Sequence, residues 1–312
     1  MFDNPPNFDF SDVFDHPLFH PQLQPVIAFA DAKKRDYYKK KYKILDYHIG
    51  LFEWFTRSIN IRSKNVLEIG GSVMPAELCI TEGGANKWVC VDAVTDYYKS
   101  PRPELSHHNS ASMYKFNDIS FSDAIKNDYI IYDEKAEDIP DDFSDYFDIC
   151  VSHAAFEHIT MLPMALSTIY KSLKKGGVLY ATVAPIWSGA HGIHESINDT
   201  DFKLFPSDWP SALDHAHLLM GYSELFSHLE KIYSLEVAEK YTYRLKHNTL
   251  FSVNKLFFED YCFLMHKAQF TKKHVFPLAG DKLPESKLQK LMSMYPGYKR
   301  FDVRGIGIHA IK

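Results

Sequence analysis

The run Asn65-Val-Leu-Glu-Ile-Gly-Gly-Ser72 carries a carboxylate, Glu68, and then two glycines, Gly70 and Gly71, at the end of an apolar stretch. Glycines in that place let the backbone turn tightly and approach a ligand closely, where side chains would stand in the way. The next apolar run ends at Val91-Asp92-Ala93, and a carboxylate one strand further along is placed to accept both hydroxyls of a ribose at the carboxyl edge of a sheet. A second cluster lies later in the chain. Ala184-Pro-Ile-Trp-Ser-Gly-Ala-His-Gly-Ile-His194 sets Trp187, His191 and His194 on one glycine-containing loop, and Asp214-His-Ala-His-Leu218 adds His215 and His217. An imidazole titrating near neutrality can take a proton from an acceptor, and an indole stacks on a sugar or another flat apolar face. The same group offers metal-ligating types, but His-x-x-His and His-x-His are weak spacings, and no bound metal is expected.

What the glycine turn lacks narrows its ligand. A dinucleotide site needs G-x-G-x-x-G so that a pyrophosphate can sit on a helix N-terminus, and Gly70-Gly-Ser-Val-Met-Pro75 has no glycine at the second and third offsets. A Walker-type phosphate loop needs Gly-Lys followed by Ser or Thr, and the chain contains no Gly-Lys dipeptide. Glu68 would repel a phosphate and suits the cationic amino-acid moiety of a sulfonium cofactor. That points to S-adenosylmethionine, with S-adenosylhomocysteine as the product. The plainer alternative has Glu68 capping a neighbouring helix and Asp92 binding its own turn.

The elements that must position these groups follow from periodicity. NVLEIGG, KWVCVDAV, DYIIYD, FDICVSH and GVLYATVAP have strand length and β-branched content, and most are nearly continuously apolar, as expected of a parallel sheet covered on both faces. EHITMLPMALSTIYKSLKKGG reads as a helix closed by Lys174, Lys175 and a glycine pair. Beyond Pro185 the pattern predicts a long loop region, a helix around Ser223 to Ile232, a strand around Glu236 to Arg244, a helical insertion over about 249–299, and a last strand around Val303 to Lys312. Residues 1–27, rich in proline, read as an irregular arm, and 28–60 as a helical extension that either packs on the sheet or covers a ligand cleft. Residues 61–312 then form one decorated domain.

Composition sets the remaining bounds. With 312 residues, 46% hydrophobic and 24% charged, the chain is an ordinary globular sequence, and its formal charge of −5 argues against nucleic acid as a partner. Cys79, Cys90, Cys150 and Cys262 form no C-x-x-C pair and read as reduced core residues. The acidic start lacks a secretory signal and no apolar run approaches the roughly 20 residues that cross a bilayer, so a cytoplasmic protein with no integral membrane segment is expected.

Taken in order, Glu68-Ile-Gly-Gly71, Val91-Asp92, Ala136-Glu-Asp-Ile-Pro140, Phe147-Asp-Ile-Cys-Val-Ser-His-Ala-Ala-Phe-Glu-His158 and Leu173-Lys-Lys-Gly-Gly-Val-Leu179 resemble the motifs of class I S-adenosylmethionine-dependent methyltransferases, over roughly Asn65 to Pro185. The resemblance implies an α/β Rossmann-like fold with a mostly parallel seven-stranded sheet and helices on both faces. It implies that Gly70 and Gly71, with Ser72, turn under the methionine end, that Asp92 and Ala93 flank the ribose, and that Ala136 and Glu137 flank the adenine. Ser152 and His153 would border the reactive methyl. The family usually has a further glycine where Ser72 stands and often an acid where Lys135 stands.

Sulfonium methyl transfer is an in-line displacement that needs alignment, plus a base when the acceptor is a hydroxyl. His153, His191 and His194 are the candidate bases, and Trp187, His158, His215 and His217 the candidate acceptor contacts; Glu157 and His158 also fit a helix-start ion pair. Arg244-Leu-Lys-His-Asn248, Asn254-Lys-Leu-Phe-Phe-Glu-Asp-Tyr261, Tyr295-Pro-Gly-Tyr298 and the ending Phe301 to Lys312 resemble methyltransferases encoded with bacterial surface-polysaccharide and other sugar-modifying enzymes. That likeness implies O-methylation of a sugar or glycan intermediate. The insertion carries Lys255, Lys267, Lys272 and Lys273, which suit an anionic glycan or nucleotide-sugar, or else a homodimer contact. A small non-sugar metabolite or a nitrogen acceptor is the rival within enzymes. A catalytically silent binding or assembly protein is the rival outside them, kept by Ser72 and Lys135.

Overall fold

The structure, a computed structural model, describes residues 32–44, 46–70, 74–93, 113–192, 214–247, 253–280 and 282–312. The 1–27 arm, Gly71, Ser72 and His194 lie outside the described residues. Helices α1 (Ala32–Tyr42) and α2 (Asp46–Ser58) precede β1 (Asn65–Ile69). A π-helical turn (Glu77–Glu82) leads to β2 (Lys87–Val91), then β3 (Met113–Tyr114), the short α3 (Phe121–Ala124), β4 (Tyr129–Tyr132) and β5 (Phe147–His153). Helix α4 (Leu162–Ser172) runs straight into β6 (Leu173–Val183). The remainder is α5 (Ala216–Leu219), α6 (Tyr222–Ile232), α7 (Leu235–His247), α8 (Phe258–Lys267), β7 (Lys272–Gly280), α9 (Glu285–Met294) and β8 (Val303–Ile311).

These strands form one sheet in the order β3-β4-β2-β1-β5-β6-β8-β7. All neighbours pair in parallel except β8, which is antiparallel to both β6 and β7. From β1 the chain builds outward through β2 and β4, then returns to lay β5 and β6 on the other side of β1. Such a reversal opens a crevice at the carboxyl ends of the two strands. This is the Rossmann-like architecture expected from the sequence, with eight strands instead of seven. The addition is β3, whose two residues are too few to leave a period-2 signature.

Strand alternation divides the core between the two faces. Leu67, Val89, Cys150 and Leu179 meet Leu166 and Ile169 of α4 and Tyr261 and Met265 of α8. Val66, Trp88, Val151 and Tyr180 meet Ile49, Phe52 and Phe55 of α2 on the other face. Phe52 lies 6.0 Å from Trp88 and Phe55 lies 5.2 Å from Tyr180. Both phenylalanines are essentially fully buried, and each such burial stabilises by about 1.5–3 kcal/mol. Trp54, between them in the chain, is exposed. All four cysteines are free and buried.

Three expectations change. The strand around Glu236 to Arg244 is helix α7, which buries Val237, Ala238, Tyr241 and Leu245 along one side; aromatic and apolar residues at alternate positions there imitate a strand. The missing strand is β7, inside the segment read as a helical insertion, which is helix, strand and helix. Its sequence KKHVFPLAG is that of an edge strand: Pro277 is tolerated where one side is unpaired, and lysines keep the edge from pairing further. Finally, α4 stops at Ser172, and Lys174, Lys175, Gly176 and Gly177 already belong to β6. Among the described residues no helix is long and apolar enough to cross a membrane.

Candidate active site

Gly70 adopts φ +65°, the left-handed region that favours glycine. Its N–H donates to the Val91 carbonyl at 2.8 Å, and a Cβ placed on it would lie 2.4 Å from the Ala155 Cβ. The turn after β1 is therefore pressed between the end of β2 and the loop after β5, with no space for a side chain. Ser152 Oγ donates to the Ile69 carbonyl at 2.9 Å, and the Asp92 N–H donates to the Tyr132 carbonyl at 3.0 Å. Four strand ends are thus fixed relative to each other around the switch between β1 and β5. Asp92 and Ala93 stand part-buried at the end of β2. Ala136 is buried, its carbonyl accepting from Thr168 Oγ1 of α4 at 2.7 Å, while Glu137 is part-buried and Lys135 exposed.

Glu68 sits behind the turn, 2% exposed. Its Oε2 accepts from Trp88 Nε1 at 2.6 Å and from Cys90 Sγ at 3.2 Å. Burial raises its pKa to about 7 against the pull of those two bonds, and the nearby Asp92 charge pushes the same way as burial. Its carboxyl caps no helix; both hydrogen bonds it accepts come from side chains of β2. Ser152 is fully buried with its hydroxyl committed to Ile69, so it positions the turn and does not border the methyl as expected.

His153 ends β5 with Nδ1 2.9 Å from Thr182 Oγ1 and its ring against Phe55 and Tyr180. Burial, helped by His48, lowers its pKa to about 3. An imidazole so weakly basic stays neutral, and its Nε2 is buried without a hydrogen-bond partner among the described residues. Glu157, fully buried in the turn Phe156–His158, accepts from the Ala184 N–H on Oε1 at 3.3 Å, while Oε2 is buried without a partner among the described residues. Desolvation pushes its pKa up to about 8, so it is largely neutral at pH 7 and forms no ion pair with the part-buried His158.

The loop after β6 brings some of the remaining candidates together. Trp187 is 8% exposed; its carbonyl accepts from His217 Nε2 at 2.9 Å, and the two rings meet edge-on at 4.8 Å. That bond places the proton on Nε2, and burial takes the His217 pKa down to about 3. His215 is fully buried, with Nε2 donating to the Phe301 carbonyl at 2.8 Å. It is a core histidine, not the acceptor contact expected. His191 differs: its side chain is 28% exposed and its Nε2 stands 3.9 Å from Asp214 Oδ1. Among the described residues no group of three or more His, Cys, Asp or Glu is arranged to hold a metal ion.

Sequence reasoning missed Asn254 as a fastener of this edge. Its N–H donates to the Glu157 carbonyl at 2.8 Å, its Nδ2 to the Phe156 carbonyl at 2.7 Å, and its Oδ1 accepts from Tyr261 Oη at 3.2 Å. Phe156 and Glu157 lie almost a hundred residues from Asn254 in the chain, with 98 separating it from Phe156, and no local pattern signals such a bridge.

Residues 105–181 match the family model described as methyltransferase domain, a span that covers β3 to most of β6. Similar solved structures include an S-adenosylmethionine-dependent methyltransferase from Mesorhizobium loti, 10% identical over 81% of this chain and 93% of that one, with a TM-score of 0.42. A possible histamine N-methyltransferase from Thermotoga maritima is 15% identical over 91% of this chain and 96% of that one, at 0.40. Phosphoethanolamine N-methyltransferase 2 from Haemonchus contortus is 15% identical over 80% of this chain and 49% of that one, at 0.41. No curated protein matches the chain. The topology and the family match agree on a Rossmann-like methyltransferase fold.

Proposed function

We propose that this protein is an S-adenosylmethionine-dependent methyltransferase that methylates a hydroxyl of a sugar or glycan intermediate. The observation that carries the reading is the carboxyl edge between β1 and β5, where a left-handed glycine turn without room for a Cβ adjoins a strand followed at once by Asp92. S-adenosylmethionine is the cofactor. Gly70 admits its methionine end, Asp92 accepts from its ribose, Ala136 and Glu137 flank its adenine, and Glu68 answers its positive charge from behind the turn. The acceptor approaches from the loop after β6. There His191, steadied by Asp214, takes the hydroxyl proton, and Trp187 and His217 wall the pocket. Isothermal titration with S-adenosylmethionine and S-adenosylhomocysteine tests the cofactor, with micromolar binding of both expected. No heat and no thermal stabilisation by either would overturn the reading.

One observation favours a nitrogen acceptor as the second reading. Burial has taken both His153 and His217 down to a pKa of about 3, and an amine that arrives with its lone pair free needs no base. Methylation assays with matched hydroxyl and amine acceptors, run with His191→Asn, separate the two: loss of turnover marks the hydroxyl route, and retention marks the amine.

A further inference from the structure

Of Lys255, Lys267, Lys272 and Lys273, the lysines singled out above in the 249–299 segment, three have no access to the crevice. Lys272 pairs with Ile311, which pairs with Val178, itself opposite Ile149 near the start of β5, so Lys272 and the adjoining Lys273 stand toward the amino edge of the sheet. Lys273 Nζ also donates to the His266 carbonyl at 2.6 Å, and Lys267 lies over the Phe263 ring. Lys255 is different. It follows Asn254, whose bonds to the turn after β5 fix this segment to the carboxyl edge. Its Nζ lies over the Trp187 ring, 5.3 Å from the centroid, and makes no hydrogen bond or ion pair among the described residues.

The backbone beneath it is costly and firmly held. Lys255 has φ +58°, a conformation a long side chain rarely adopts. Asn254 Oδ1 accepts from the Leu256 N–H at 3.2 Å, and the Phe258 N–H donates to the buried Ser188 Oγ at 3.3 Å, which ties the segment to the Trp187 loop. A part-buried ammonium on a rigid support, resting on an indole and not neutralised by a carboxylate, is a preorganised anion site.

We propose that Lys255 is the acceptor anchor of this site and that the acceptor carries an anionic group, a phosphate or a carboxylate, which Lys255 holds beside Trp187. This rests on the methyltransferase reading for the word acceptor, but the anion site stands on Lys255 and Trp187 themselves. The ammonium leaves the indole face or stays on it while its three donors turn to the anion, and the attached hydroxyl or amine is thereby oriented toward the turn at Gly70.

The test uses the full chain and two variants. Lys255→Asn removes the charge and suits the left-handed backbone better than lysine does, so it folds; Lys255→Arg keeps the charge. Each protein, with and without saturating S-adenosylhomocysteine, is titrated at constant ionic strength with inorganic phosphate, acetate, glucose 6-phosphate, glucuronate and neutral glucose. At least one anionic probe is expected to bind the wild type tenfold or more tightly than glucose does. That preference should fall to within about twofold in Lys255→Asn and survive in Lys255→Arg, with S-adenosylhomocysteine affinity equal in all three. The phosphate and carboxylate arms show which anion is preferred. Wild-type protein without any anion preference, or Lys255→Asn retaining it, would overturn the proposal. Failure of S-adenosylhomocysteine to bind any of the three would overturn the methyltransferase reading alone, because the titrations without it still judge Lys255.

Discussion

Replacing Gly70 with alanine perturbs the crevice through one carbon atom. At φ +65° an L-residue costs roughly 1–2 kcal/mol relative to its relaxed backbone. The added Cβ would lie 2.4 Å from the Ala155 Cβ, where ordinary contact begins at 3.4 Å, so the turn after β1 and the loop after β5 must part by about 1 Å. Overpacking of that kind costs about 1–3 kcal/mol. The two contributions act on different groups and together destabilise by about 3 kcal/mol, or a fall in Tm of roughly 5 °C for a chain of this size. Thermal unfolding of Gly70→Ala measures the sum, and titration with S-adenosylhomocysteine measures what the displaced turn does to the cofactor. Ala155→Gly removes the opposing atom, so the double variant should recover the packing share and keep the backbone share. Because the residues are in contact, the cycle should show a coupling of 1 kcal/mol or more. A Gly70→Ala protein within 0.5 kcal/mol of wild type, or a cycle that adds without coupling, would refute the claim that these two loops meet at van der Waals distance.

The site makes further predictions. Glu157 has a folded pKa raised to about 8 from an ordinary value of 4.5, so its contribution to stability is fully present below about pH 4.5 and is lost as pH rises through 8. Denaturant melts should therefore show Glu157→Gln gaining on wild type by several kcal/mol between pH 5 and pH 9; parallel curves would mean that the carboxyl is solvated. Asp92→Ala should weaken S-adenosylmethionine binding by about 1.5–3 kcal/mol through lost ribose hydrogen bonds, and unchanged affinity by titration would remove Asp92 from the site. His191→Asn should leave S-adenosylhomocysteine affinity unchanged and lower kcat on a hydroxyl acceptor by about 10²–10⁴, and an unaltered pH-rate profile would rule it out as the base.

The central sheet was legible because burial on both faces leaves a continuous apolar run that depends on nothing distant. β1, β2, β4, β5 and the apolar part of β6 all announce themselves in that way. The strands that escaped do not: Met113–Tyr114 is too short for a period, and Lys272–Gly280 carries lysines and a proline because it is an edge. Helix α7 was mistaken for a strand because its exposed Tyr243 falls between the buried Tyr241 and Leu245 and extends an apparent alternation. Its burial follows a helical face against α6, which sequence period alone does not distinguish over nine residues.

The two halves of the candidate site differ in how far residue types reveal them. The cofactor half is a backbone device: a glycine pair after one strand and an acid after the next are local facts that stand in the sequence, although the atom that leaves Gly70 no room for a Cβ belongs to the distant Ala155. The acceptor half depends on which imidazoles stay accessible, and that is set by packing against distant segments. His153 is enclosed by Phe55 and Tyr180, from α2 and β6, and His215 donates to a carbonyl at Phe301. A count of histidines near the crevice therefore overstates how many can reach an acceptor. Among the described histidines of this loop, His191 combines exposure with a neighbouring carboxylate, and the His191→Asn assay asks whether it moves the proton. An anion held at Lys255 would orient either acceptor equally well, so its binding would constrain the substrate's charge while leaving the reacting atom to the His191 variant.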